Sequence, residues 1–98
     1  MSFFLTLTNT AKQSLKELKD SAHLEKRFKA VSKALKLLAD NPRHPGLRTH
    51  PYTSLCGPSG EKVFEAYAQQ NTPAAYRVFW HYGPGRNEIT VVALTSHP

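Results

Sequence analysis

With a single cysteine, Cys56, the chain has no route to an internal disulfide, and nothing in it asks for an oxidising compartment. Long apolar runs are missing as well. The N-terminus, Met1-Ser2-Phe3-Phe4-Leu5-Thr6, has no leading positive charge and only three consecutive apolar residues, which fits neither a signal peptide nor a membrane span. A cytoplasmic protein with no membrane partner is the expectation. There is no internal repeat, no low-complexity tract and no phosphate-loop or dinucleotide fingerprint, since Gly83-Pro84-Gly85 sits between strand-like runs and opens no helix. No cofactor is called for. Acidic residues are also scarce: 7 Asp and Glu face 13 Lys and Arg, a formal charge of +6 that favours polyanionic partners.

What remains is enough for one domain over residues 1–98, with 40% hydrophobic residues to build a core. The charge is unevenly made. Residues 1–40 hold eight of the basic residues, mostly lysine, against four acids; the rest hold Arg43, Arg48, Lys62, Arg77 and Arg86 against three. Arginine grips phosphate through a planar fork, so the second half is the better place to look for phosphate contacts. The helical lysines read first as a solvated face.

Residues 3–8 alternate loosely and suggest a short strand. Ala11, Leu15, Leu18 and Ala22 then recur at helical spacing, with Asn9 or Thr10 available as a cap, and predict a helix over about residues 10–20. Leu24, Phe28, Val31, Leu35 and Leu38 mark a second helix that ends by Asp40, because Pro42 forces Asn41 out of helical conformation. Extended runs follow at about residues 47–55, 61–69, 74–82 and 88–95. Pro51 confines the first of these to a sheet edge or a bulge, and Cys56 reads as a half-buried small residue beside a turn. The prediction is an α+β domain of order β-α-α-β-β-β-β, a helical hairpin packed on one face of an antiparallel sheet.

In the run 75–82, Tyr76, Val78, Trp80 and Tyr82 share one face and suit the helices, while Ala75, Arg77, Phe79 and His81 share the other. On the preceding strand Val63, Glu65 and Tyr67 share a face, which puts a carboxylate and a phenol within reach of Arg77 if the register allows. Two readings of Arg77 stand side by side: a cross-strand partner of Glu65, or an open cation that holds phosphate. Glu65 is correspondingly a salt-bridge partner or a general base. His97, just past the last strand, is a solvated bystander on position alone. RNA cleavage by a neighbouring 2′-hydroxyl needs a base, an acid and cations; Glu65 or His81, His97, and Arg77 with Lys62 supply those types, and Arg48 adds a further substrate-binding cation. His44, His50, His81 and His97 are four potential metal ligands, but their spacing is not that of a metal site and no second cysteine exists, so no metal is expected.

The strand order and Tyr76-Arg77-Val78-Phe79-Trp80 resemble the RelE/ParE superfamily of bacterial toxins. Asn41-Pro42-Arg43-His44-Pro45-Gly46-Leu47, Glu61-Lys62-Val63-Phe64-Glu65-Ala66-Tyr67 and Thr95-Ser96-His97-Pro98 are similar to an uncharacterised RelE-like subgroup. The resemblance spans nearly the whole chain. It implies a RelE-like fold, metal-independent and ribosome-dependent cleavage of messenger RNA, and a cognate antitoxin as partner. It places the family's strand arginine on Arg77, its C-terminal acid/base position on His97, a carboxylate used by some members on Glu65, and a basic substrate contact on Lys62. The chain lacks the C-terminal helix or tyrosine of some members. That gap keeps two alternatives open: a ParE-like inhibitor of DNA gyrase without catalysis, and a non-toxic relative that binds RNA or protein.

Overall fold

The loose alternation near the N-terminus forms strand β1 (Phe4–Leu7) in the computed structural model, which describes residues 2–96. Helix α1 (Asn9–Asp20) starts at Asn9, one of the two expected caps. Thr8 is the cap instead: its Oγ1 accepts from the Ala11 N–H at 3.2 Å and donates to the Val92 carbonyl at 2.9 Å, so one hydroxyl closes the helix start and ties it to the last strand. Thr8→Ala is expected to cost about 1 kcal/mol for the lost cap, seen as a lower denaturant midpoint at unchanged slope.

A 3₁₀ turn over Ala22–Leu24 leads into α2 (Glu25–Asp40), which buries Val31, Ala34, Leu35 and Leu38 along one stripe. It stops where Asn41 becomes extended (φ −159°, ψ 97°), as the following proline requires. A second 3₁₀ turn, Pro45–Leu47, precedes β2 (His50–Cys56), β3 (Lys62–Tyr67), β4 (Tyr76–Tyr82) and β5 (Glu88–Ser96). Cys56 ends β2 with its side chain exposed rather than half-buried. Lys12, Lys16, Lys19, Lys26, Lys29, Lys33 and Lys36 are all exposed on the helices. No helix is long and apolar enough to cross a membrane among the described residues.

The sheet order is β1-β5-β4-β3-β2. Strands β2 to β5 form the expected antiparallel meander, whereas β1 pairs with β5 in parallel, with Leu5 opposite Ile89. The sheet is therefore mixed where a wholly antiparallel one was expected, and chain parity is the reason. Two antiparallel helices return the chain into β2 running opposite to β1, and three hairpin reversals bring β5 back into the direction of β1.

The helices cover one face, where Ala66, Val78, Trp80, Ile89, Val91 and Leu94 pack against Ala11, Leu18, Val31, Leu35 and Leu38. The other face, on which an open Arg77 was one of the two readings, is covered: Val63, Glu65, Arg77, Phe79 and His81 are all buried. Strand β2 supplies the cover by standing the Tyr52 ring edge-on to Phe79, centroids 4.8 Å apart. Further along, Pro58, Ser59 and Glu61 from the β2–β3 turn share a small cavity with His81.

Glu88 fastens β1 to the β4–β5 turn, accepting from Thr6 Oγ1 at 2.7 Å and from the Gly85 N–H at 2.8 Å. The Thr6 hydroxyl first, then the Gly85 amide, hold its carboxyl below the usual glutamate range, with His81 adding to the effect. A carboxyl that resists protonation more when folded than when unfolded stabilises the fold at neutral pH. That contribution is lost as pH falls through the depressed folded value. Glu88→Gln is therefore expected to lower the melting temperature at pH 7 and to flatten its decline on acidification, measured by thermal melts across the acid range.

Candidate active site

Register decides what gathers around Arg77. His50 on β2 lies opposite Glu65 on β3, and Tyr67 on β3 lies opposite Arg77 on β4, so four functional side chains meet on the face away from the helices. At their centre is the Glu65 carboxylate, 2% exposed. Its Oε1 is 2.7 Å from His50 Nε2, and its Oε2 is 3.8 Å from Arg77 Nε. The His50 side chain is 45% exposed, so the pair consists of a sunken carboxylate and a solvent-facing imidazole. The other ring nitrogen, Nδ1, is 3.3 Å from the Arg48 carbonyl, a longer and weaker contact.

Arg77 is engaged inside the protein. Its Nη1 donates to the Gln69 carbonyl at 2.9 Å and reaches the Tyr76 carbonyl at 3.4 Å, and its guanidinium carbon is 3.8 Å from the centroid of the Tyr67 ring. Its buried Nε has no hydrogen-bond partner, because 3.8 Å to Glu65 exceeds bonding range. The long ion pair and the cation–π stack fit the structural reading of Arg77 better than an open phosphate ligand. Tyr67 also meets the His50 ring edge-on at 5.8 Å, and the Arg48 guanidinium 5.7 Å from its centroid.

Arg48 is the accessible cation. It is exposed, and its Nη1 donates to Gln70 Oε1 at 3.0 Å, leaving other guanidinium donors for an anion. Its backbone is left-handed (φ 48°, ψ 40°) at the end of the Pro45–Leu47 turn, a conformation glycine adopts at no steric cost.

The remaining predicted residues lie apart from this group. Lys62 shares the helix-side face of β3 with Phe64, over whose ring its ammonium stands at 5.8 Å, so it is turned away from Glu65. His81 is four residues along β4 from Arg77, 2% exposed, with Nδ1 donating to the Tyr82 carbonyl at 2.8 Å. It faces Glu61 and Glu88 and is sealed from solvent, which removes it as a substrate contact. His97 lies outside the described residues; Thr95 and Ser96 pair with Arg77 and Tyr76. Among the described residues no three His, Cys, Asp or Glu side chains gather as a metal site requires.

Sequence reasoning passed over His50, which stood only among the metal candidates. The available signal was its place beside Pro51, at the start of an edge strand whose partner run contains Glu65.

Neither a family model nor a curated protein matches the sequence. Solved structures do match. The YoeB/ParE toxin of Agrobacterium tumefaciens aligns with a TM-score of 0.71 at 10% identity, covering 97% of this chain and 99% of its own. The Staphylococcus aureus YoeB dimer gives 0.66 at 13% identity over all of both chains. The archaeal RelE–RelB complex of Pyrococcus horikoshii gives 0.64 at 15% identity, over 98% of this chain and 96% of that one. From end to end, the chain has the α+β fold of the RelE and YoeB toxins.

Proposed function

We propose that this protein is a RelE-like toxin of a toxin–antitoxin pair, and that it cleaves messenger RNA on the ribosome with His50 as the proton-transfer group. The observation that carries this reading is the buried Glu65 carboxylate bonded to the exposed His50 imidazole. A carboxylate accepting from Nε2–H fixes the ring and leaves Nδ1 as the working nitrogen, and an imidazolium formed by proton uptake would find an acceptor on each side. In the reaction the 2′-hydroxyl gives its proton to Nδ1, its oxygen attacks the adjacent phosphorus, and the P–O5′ bond breaks. A proton from His97 or water then completes the 5′-hydroxyl, leaving a 2′,3′-cyclic phosphate. Arg48 provides charge for the crowded phosphate, while Arg77 and Tyr67 hold the Glu65 end of the dyad.

The fold likeness and the +6 charge support this assignment, and the RelE–RelB complex among the similar structures supports an antitoxin partner. Such a partner is acidic overall, acts in the cytoplasm with the toxin, and co-purifies as the product of the neighbouring reading frame. Induction in bacteria with mapping of messenger RNA 5′ ends tests the activity. Growth arrest with codon-phased ends is expected. Normal growth and unchanged ends from soluble, folded protein would overturn it, and inhibition of purified gyrase in a supercoiling assay would assign the chain to a ParE-like role.

A further inference from the structure

The helix layer ends at Asp40, and beyond it the 41–49 loop takes over the cover of the sheet. Between that loop and β3–β4 is a cavity of about 410 Å³, on the side of the sheet facing away from the His50–Glu65 dyad. Its sheet-side wall is aromatic. Phe64 stacks on Trp80 (centroids 4.9 Å, planes 28° apart), and Tyr82 stands edge-on to both. Its loop-side wall carries Arg43, His44, Arg48 and Thr49.

Two features separate this cavity from a packing gap. Three buried polar side-chain atoms lack a hydrogen-bond partner among the described residues, and two of them, Thr49 Oγ1 and Trp80 Nε1, belong to residues lining it. Buried polar groups are nearly always paired, so a hydroxyl and an indole N–H orphaned at one cavity mark a place where a ligand's hydrogen-bonding edge belongs. The rim, moreover, is cationic. Among the described residues only the backbone N–H of Arg43 is engaged, by Asn41 Oδ1, which leaves its guanidinium for an anion; Lys62 stands over the Phe64 ring. His44 Nδ1 accepts from the Gly46 N–H at 2.9 Å, which leaves its Nε2 outward.

We propose that this cavity binds one nucleotide, its base between the aromatic wall and the loop with polar edge atoms on Thr49 Oγ1 and Trp80 Nε1, and its phosphate on Arg43 and Lys62. A flat ring needs flat walls and a few fixed donors, and this volume lies in the range of small-ligand sites. Tyr82, 42% exposed, stands edge-on to the Trp80 ring at the mouth. The proposal does not rest on RNA cleavage by His50, although Arg48 borders both places. Its nucleotide comes either free or as one unit of a single strand, and the two sources share this chemistry.

Trp80 is the only tryptophan, so its indole N–H resonance and its fluorescence report on the cavity alone. The intact protein is titrated with the four nucleoside monophosphates, with ribose 5-phosphate, with five-nucleotide single-stranded RNAs and with an Asp-Tyr dipeptide. At least one monophosphate or oligonucleotide is expected to move the indole N–H resonance, with ribose 5-phosphate binding at least roughly tenfold more weakly. Arg43→Ala should weaken binding by about tenfold, and Thr49→Val by several-fold. Saturation by free monophosphates assigns a soluble nucleotide, and a response to oligonucleotides alone assigns a strand. The site is overturned by no response up to ~10 mM ligand, by equal binding of ribose 5-phosphate, by unchanged affinity in Arg43→Ala, or by a response to the dipeptide alone. Each of those results leaves cleavage by His50 intact.

Discussion

His50→Ala is expected to lower RNA cleavage by roughly 10²–10⁴-fold, the range for losing a general acid–base group. The same substitution also removes a partner from a buried carboxylate, for which a stability loss of about 1–3 kcal/mol is expected. Activity alone would therefore not separate a proton carrier from a prop. His50→Gln does separate them, since its amide can still donate to Glu65 Oε1 but cannot shuttle a proton. A melting temperature near that of the parent together with cleavage as low as in His50→Ala is the expected combination. Recovery of cleavage in His50→Gln would show that the imidazole merely props Glu65, and would move the base to another residue.

Element order and the composition of both sheet faces were legible in the sequence because they follow from local periodicity. Residues 76–82 alternate cleanly, and Val78 and Trp80 pack under the helices as that alternation implies. The partners across strands were not legible. A register shift between β4 and β5, after Phe79, makes Ile89, Val91 and Leu94 the buried positions of β5, which no two-residue period produces. The same limit hid His50: its role depends on lying opposite Glu65, a fact of register rather than of spacing. Alternation also sorted Arg77 and His81 correctly onto the face away from the helices but said nothing about what covers that face. Tyr52 and the β2–β3 turn do so, and they belong to an edge strand whose own residues are mostly exposed. Lys62 lies apart from Glu65 because the parity that puts Glu65 on one face of β3 puts its third neighbour on the other.

Arg77→Ala is expected to act mainly on stability, by about 3 kcal/mol, which for a chain of this length lowers the melting temperature by on the order of 10–20 °C. Three losses combine: the charge facing Glu65, the hydrogen bond to the Gln69 carbonyl, and the stack on Tyr67. Burial makes the first of these expensive, because the Glu65 side chain lies in a site that water does not reach. The sequence Glu65→Gln, Arg77→Met tests that logic. Each single change strands one charge, whereas the double variant strands none, so the double is expected to be more stable than the sum of the singles predicts by about 1–3 kcal/mol. At temperatures where Arg77→Ala is folded it should retain substantial cleavage, because Arg48 and His50, the groups that face solvent, are untouched. The reverse pattern, a melting temperature close to the parent's with cleavage abolished, would show the guanidinium reaching out to the scissile phosphate. Arg77 would then have to break its bond to Gln69 and leave the Tyr67 ring when RNA binds, and the fall in Tyr67 shielding would be visible by NMR.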